Sequence, residues 1–296
     1  MSEKRLKIAI QKSGRLAGES LELLEKCGIR LTRSKDQLFC RARNFPLDAF
    51  FVRDDDIPAF VANDVAQIGI VGENVLAEEK ALDGKNRLND VRVLNKLGFG
   101  TCRLSIAVPH DFDYKSARSL KDLTIATSYK GVLQAFLNKN DINADIVSMK
   151  GAVEVAPRIG MADCICDLVS TGATLSNNGL KEEEIILQSQ SILIGKDITD
   201  PEIQNIFKRF MLRLEGVQKA KNSKYIMLHC PPEKLEDVKA VLPGADSPTV
   251  LNLEGRDDLV AVHSVAQEGV FWDTMENLRD IGASDILVVP IEKILD

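Results

Sequence analysis

The chain has 296 residues, 45% hydrophobic and 28% charged, with a formal net charge of −6. That is an ordinary globular composition, long enough for about two domains with substantial cores. The acidic balance disfavours a nucleic-acid surface, and no apolar run reaches membrane-spanning length. The opening MSEKRLKIAIQ has no secretory-signal pattern, so a cytoplasmic protein is expected. Six cysteines are scattered without a C-x-x-C, and three histidines lie far apart in sequence, so no zinc spacing is visible. Reduced cysteines packed as small apolar residues are expected.

In chain order, LKIAI (6–10) predicts a buried strand, and Arg15 to Cys27 a helix with Gly28 as its stop. AFFVR (49–53) and QIGIVG (67–72) predict strands around a helix near 56–64, and Glu73 to Lys80 a short helix. VRVLNKLGF (91–99) and RLSIAVP (103–109) predict strands. A second series follows: strand 124–128, helix 131–139, strand 144–149, helix 152–159, then the strand and helix of DCICDLVSTGATL. EIILQSQSILIG (184–195) reads as one or two extended segments. The alternation predicts two α/β lobes of mostly parallel sheet, helices on both faces and a cleft between them. A long helical pattern spans 200–222, its lysine-rich end reading as a linker. After it come strand 224–230, helix 231–242, strands 247–254 and 259–266, helix 271–283 and strand 285–291. That order is βαββαβ, the ferredoxin-like plan. It holds no dense cluster of acids, bases or nucleophiles, so a regulatory or assembly role is expected there.

The segment 163–175, DCICDLVSTGATL, carries the strongest functional signal. An apolar strand ending on Asp167 leads into Ser170, Thr171, Gly172, Ala173 and Thr174 and then a helix. Unpaired amides at a helix start, small residues that admit close approach and three hydroxyls suit a phosphate. A carboxylate at the rim suits sugar hydroxyls, so the pair points to a ribose-5-phosphate site; an ordinary capped turn uses the same residue types. Cys164 and Cys166 share one strand face, as packing or site-lining residues. QKSGRL (11–16) offers a second anion site, with Lys12 and Arg15 flanking a Ser-Gly turn; a solvated turn is the alternative. Arg53 in VRDDDIP can reach a phosphate or stack on a base, while Asp55 or Asp56 suits a helix cap. Glu73 sits at a strand's carboxyl edge. Ser128, Tyr129 and Lys130 repeat the strand-to-helix design, and Glu154 opens another helix as a candidate polar contact. Dinucleotide, Walker and G-x-S-x-G patterns are absent from the sequence.

KSGRL, RDDDIP, QIGIVGENVL, LGFGTCRLSIAVP, ICDLVSTGATL and SPTV, in that order, resemble the ATP phosphoribosyltransferase family of histidine biosynthesis, in its long form. The loop departs from the commoner phosphoribosyltransferase version, which has two adjacent acids; Cys166 stands in the first place and only Asp167 remains. The resemblance implies two periplasmic-binding-protein-like (type II) lobes plus a C-terminal ferredoxin-like (ACT-like) regulatory domain. On that plan lobe I comprises 1–102 and 190–222, lobe II 103–189 and the regulatory domain 224–296. It implies condensation of ATP with 5-phosphoribosyl 1-pyrophosphate, magnesium, a homo-oligomer passing between dimer and hexamer, feedback inhibition by histidine and no separate regulatory subunit. Asp167, Ser170, Thr171, Gly172, Ala173 and Thr174 would hold ribose and its 5-phosphate. Lys12, Arg15 and Arg53 would handle ATP or pyrophosphate charge, Lys12 and Arg15 acting with Asp167 in catalysis; Glu73 and Glu154 are further ATP contacts. Histidine would bind near Ser247 and Thr249. Two other readings remain: a prephenate-dehydratase-like enzyme, although Thr32-Arg33 is followed by Ser34 where phenylalanine is expected, and a non-catalytic small-ligand-sensing module.

Overall fold

The computed structural model describes residues 3–32, 34, 37–242, 248–267 and 272–295. Contacts divide the chain into two compact units, Met1–Glu25 with Ile29–Phe207, and Lys26–Gly28 with Lys208–Asp296.

The first unit begins β1 (Leu6–Gln11), α1 (Arg15–Lys26), β2 (Phe39–Arg41), β3 (Leu47–Val52), α2 (Ile57–Ala62), β4 (Ile68–Gly72), α3 (Glu73–Leu82) and β5 (Arg92–Lys96). It continues with β6 (Cys102–Pro109), β7 (Thr124–Thr127), α4 (Lys130–Lys139), β8 (Asp145–Ser148), β9 (Cys164–Val169), α5 (Ala173–Asn177), β10 (Leu180–Ser189) and β11 (Ser191–Gly195). Two sheets result, ordered β2-β3-β1-β4-β11-β5 and β10-β6-β9-β7-β8. Each has the strand order of a type II periplasmic-binding-protein lobe, with one strand arriving from the other lobe beside the third of its own. The central strands are apolar on both faces because helices or turns cover both. Leu6, Ile8, Ala9 and Ile10 of β1 are fully buried, as are Ile192, Leu193 and Ile194 of β11.

The expectation of mostly parallel sheet needs correcting. β1 runs parallel to β3 and β4, and β7 to β8 and β9, but β11 is antiparallel to β4 and β5, and β6 to β9 and β10. A strand entering from the opposite lobe comes back against the local βα direction, so each crossover adds antiparallel pairing. The extended stretch near 184–195 is two strands in two different sheets, with Gln190 alone between them.

The helix expected at 152–159 is also absent; only Val153–Val155 form one 3-10 turn. Ala152 holds a left-handed φ of 53°, and Pro157 lacks the N–H that Val153's carbonyl needs for an α-helical bond. Three-residue steps replace it, Val155 N–H to the Ala152 carbonyl at 3.2 Å and Ala156 N–H to the Val153 carbonyl at 3.1 Å.

α6 (Pro201–Lys221) carries the chain from residues of the first unit into the second. Its lysine-rich end is helix rather than linker, because Leu214, Val217 and Ala220 keep an apolar stripe buried through the last turns. There follow β12 (Ser223–Cys230), α7 (Leu235–Val241), β13 (Thr249–Leu253), β14 (Arg256–Gln267), α8 (Trp272–Ile281) and β15 (Ser284–Pro290). The antiparallel order β13-β14-β12-β15 is that of a ferredoxin-like sheet. Alternation along β12 sends Ile226, Leu228 and Cys230 into a core shared with Val238 of α7 and Leu278 of α8. Each such side chain contributes roughly 1.5–3 kcal/mol by burial.

Candidate functional site

β9 brings Asp167 to the cleft side of the second sheet. The strand does not end on this acid; it runs two residues further to Val169, and Asp167 pairs with Ser105 of β6 inside the ladder. Its Oδ1 accepts the Leu168 N–H at 2.8 Å. Burial raises its pKa above the ordinary carboxylate value, and the nearby Glu154 charge adds to the rise. Alternation turns Cys164 and Cys166 to the other face, fully buried in the lobe core, so they are packing residues. Burial pushes the Cys164 thiol up to about 12, which leaves it unreactive at neutral pH.

The loop after β9 is exposed at Ser170 and Thr171 and turns at Gly172, whose φ of 82° lies in the left-handed region. Open space surrounds the position where a Cβ would stand, so backbone conformation rather than crowding selects glycine. α5 is five residues long, far shorter than a helix with a full macrodipole. What this turn offers an anion is therefore loop amides and hydroxyls more than a helix end. Arg103 of β6 braces the loop: its guanidinium grips Glu182 with two hydrogen bonds and donates to the Ser170 carbonyl at 3.1 Å. Arg103 correspondingly holds the Glu182 carboxyl below the usual range.

Facing this loop is the first lobe. A cleft of about 530 Å³, a typical small-molecule size, is lined from the first lobe by Gln11, Arg15, Asp54 and Asn74 and from the second by Tyr129, Glu154, Asp167, Ser170, Thr171, Gly172 and Thr174. Gly100 and Cys102, where the chain crosses between lobes, line it too.

The structure thus brings Arg15, Glu154, Asp167, Ser170, Thr171, Gly172 and Thr174 together. Ala173 lines an adjoining depression on the loop's other side. Lys12 follows β1 on the surface, its amide donating to the Val52 carbonyl at 2.7 Å, outside the cleft lining. One donor expected for an anion at this turn is already used, since Leu16 N–H donates to Gln11 Oε1 at 3.2 Å. Arg53 is exposed and pairs with Asp55 at 3.3 Å. The middle acids do not cap α2 by side chain: Asp56 stands at the cap position without such a bond, and Asp54 lines the cleft instead. Glu73 opens α3 but lines a neighbouring depression, with its carboxylate 3.8 Å from Lys96. Ser128 donates to the Met149 carbonyl at 2.8 Å, Tyr129 reaches the cleft, and Lys130 begins α4. Thr249 is exposed at the start of β13; Ser247 lies outside the described residues.

Sequence reading passed over Asn74 and Arg103. Asn74 Nδ2 donates to the Tyr129 hydroxyl across the lobes at 2.8 Å, and its own Oδ1 accepts from Ser189 at 2.8 Å. Its one sequence signal is a place beside Glu73 at the carboxyl end of a strand; Arg103 had none beyond its strand.

Among the described residues no group of three or more His, Cys, Asp or Glu side chains is arranged to hold a metal ion. The oxygen donors of Asp54, Glu154 and Asp167 are nonetheless the hard type that magnesium takes. No helix among the described residues is long and apolar enough to cross a membrane.

Fold and cleft define a two-lobed α/β cleft protein of type II periplasmic architecture, followed in sequence by a ferredoxin-like domain. Residues 53–216 match the family model for ATP phosphoribosyltransferase, and residues 220–293 match that for the HisG C-terminal domain. The chain belongs to the ATP phosphoribosyltransferase family, the pentosyltransferases of histidine biosynthesis, and is of the long form. Among solved structures it is similar to the ATP phosphoribosyl transferase (HisG:HisZ) complex from Thermotoga maritima, at 24% identity and a TM-score of 0.59, over 71% of this chain and 98% of that one. It also matches the alkanesulfonate-binding protein SsuA from Xanthomonas axonopodis pv. citri at 12% identity and a TM-score of 0.45, over 72% and 73% of the two chains.

Proposed function

We propose that this enzyme condenses ATP with 5-phosphoribosyl 1-pyrophosphate to give 1-(5-phosphoribosyl)-ATP and pyrophosphate, the first committed step of histidine biosynthesis. One observation carries the reading: a half-buried acid and a glycine-hinged hydroxyl loop on one lobe face Arg15 on the other across a small-molecule cleft. Loop amides and the hydroxyls of Ser170, Thr171 and Thr174 hold the 5-phosphate, with Gly172 and Ala173 admitting close approach. Asp167 accepts from the ribose hydroxyls. Arg15 neutralises phosphate charge within the cleft, while Lys12 and Arg53 draw polyphosphate toward its rim. Glu154 contacts the nucleotide.

A ring nitrogen of adenine attacks the anomeric carbon; the new C–N bond forms as the C–O bond to pyrophosphate breaks, and the electron pair leaves with pyrophosphate. Positive charge builds on the sugar, next to the carboxylate of Asp167. Alignment of two bound substrates supplies much of the acceleration, and lobe closure keeps water from the reactive sugar. Magnesium, when bound, would supply charge neutralisation on the leaving pyrophosphate, and the carboxylates of Asp54, Glu154 and Asp167 are the cleft residues that would hold it.

The ferredoxin-like domain binds histidine near Ser247 and Thr249 and lowers activity, within a homo-oligomer that passes between dimer and hexamer. The C-terminal family match supports a built-in sensor in place of a separate regulatory subunit. A cytoplasmic enzyme fits its soluble biosynthetic family. Incubation with ATP, 5-phosphoribosyl 1-pyrophosphate and magnesium tests the reading: a new ultraviolet-absorbing adduct with equimolar pyrophosphate, suppressed by histidine, is expected. No adduct from folded protein overturns it.

A further inference from the structure

α3 of the first lobe and α4 of the second touch directly. One face of α3 makes the contact, through residues four and three or four apart in sequence: Asn74, Glu78, then Ala81 and Leu82. The Glu78 carboxylate is buried, 8% exposed, and accepts two first-turn N–H groups of α4 with both oxygens: Gly131 N–H to Oε1 and Val132 N–H to Oε2, each at 2.8 Å. A carboxylate from one lobe thus occupies the positive end of a ten-residue helix in the other. Gly131 makes the approach possible, since a Cβ there would stand 2.8 Å from the Ala81 Cβ and 3.2 Å from the Glu78 carbonyl oxygen.

Immediately before α4 stands Tyr129, in the cleft, with its hydroxyl held by Asn74 one turn earlier on the same face of α3. The other end of this face meets the crossover: Asn74 N–H donates to Ser189 Oγ at 3.0 Å and Glu73 N–H to the Gln190 carbonyl at 2.9 Å.

The geometry points to Glu78 as a positioning residue for the transfer reaction: by pinning the first turn of α4 it holds Tyr129 at the cleft wall and sets the angle at which the two substrate-bearing lobes meet. This rests on the cleft being the site of transfer. Glu78 touches no substrate, so its effect falls on alignment. Each substrate still binds its own lobe's groups, and the loss appears in kcat rather than KM, since displacements of about 1 Å cost up to about a hundredfold.

The chain has three tyrosines, Tyr114, Tyr129 and Tyr225, which permits a readout independent of turnover. Full-length protein labelled with 3-fluorotyrosine gives three fluorine resonances, the Tyr129 signal being assigned with Tyr129→Phe. Glu78→Ala should shift or broaden the Tyr129 signal alone and lower kcat about tenfold or more, with KM for both substrates within about twofold. Glu78→Gln, which keeps one acceptor, should fall between. Gly131→Ala, which wedges the helices apart, should reproduce the pattern; should Glu78→Ala fail to fold, Gly131→Ala and Glu78→Gln decide. An unmoved Tyr129 signal, or a wild-type kcat in variants whose signal has moved, overturns the inference. Wild-type protein without transferase activity would instead sink the proposed reaction, and the fluorine spectra would still report on the clamp.

Discussion

Asp167 is held at a cost that the free protein does not need. Its carboxyl has a raised pKa, chiefly because the folded chain removes water from it. The folded state therefore takes up a proton at higher pH than the unfolded chain, whose value is about 3.9. This group's contribution to stability is greatest below that unfolded value and is lost as pH rises through the folded value. Asp167→Asn should accordingly raise the melting temperature of unliganded protein at neutral pH, with the gain vanishing toward pH 3, while turnover falls about a hundredfold or more. Thermal scans at several pH values and one progress curve check this; a variant that is both less stable and active contradicts it. Arg103 should behave in the opposite manner. Removing its bond to the Ser170 carbonyl in Arg103→Met leaves the loop unbraced and Glu182 with only the Ser105 hydroxyl of the partners described for it. KM for the phosphoribosyl donor should rise about tenfold, read by steady-state kinetics, with KM for ATP little changed.

At the scale of elements, the candidate phosphate loop joins a strand, a left-handed glycine and a helix of little more than one turn. Gly172→Ala places a Cβ in open space but in the left-handed region, so a loss of about 1–2 kcal/mol is expected from backbone alone. Urea unfolding reads it, and a neutral result would mean that the turn relaxes freely. Strands were legible where apolar runs were nearly unbroken, as in IGIVG and in LKIAI, where only the exposed Lys7 interrupts, because covered sheet faces favour apolar side chains. β2 was not, since FCR is three residues with no period to read. The helix expected at 152–159 does not form because Pro157 lacks the N–H that would bond the Val153 carbonyl, which stops the pattern at one 3-10 turn. At the site, the loop and Asp167 were legible as a local pattern. The bonds that frame them were not: Asn74 to Tyr129, Gly131 to Glu78 and Arg103 to Glu182 span 55, 53 and 79 residues and leave no local mark.

Over the whole molecule, the cleft lies within the first unit and the ferredoxin-like domain within the second, so the proposed transfer and the proposed histidine control fall on separate units of the chain. The second unit carries its own core around Leu228, Val262 and Leu278. Deleting residues 224–296 should leave adduct formation measurable and remove inhibition by histidine; inhibition that survives in the shortened enzyme places the sensor elsewhere. In the reaction proposed for the first unit, loop 170–174 grips the terminal phosphate of the sugar donor while Asp167 reads its hydroxyls. A crystal structure with 5-phosphoribosyl 1-pyrophosphate and magnesium decides this directly. The 5-phosphate is expected on the amides and hydroxyls of residues 170–174 and the ribose hydroxyls on Asp167, with the pyrophosphate turned toward Arg15. A donor bound elsewhere, or bound in reverse with its pyrophosphate in the loop, contradicts it.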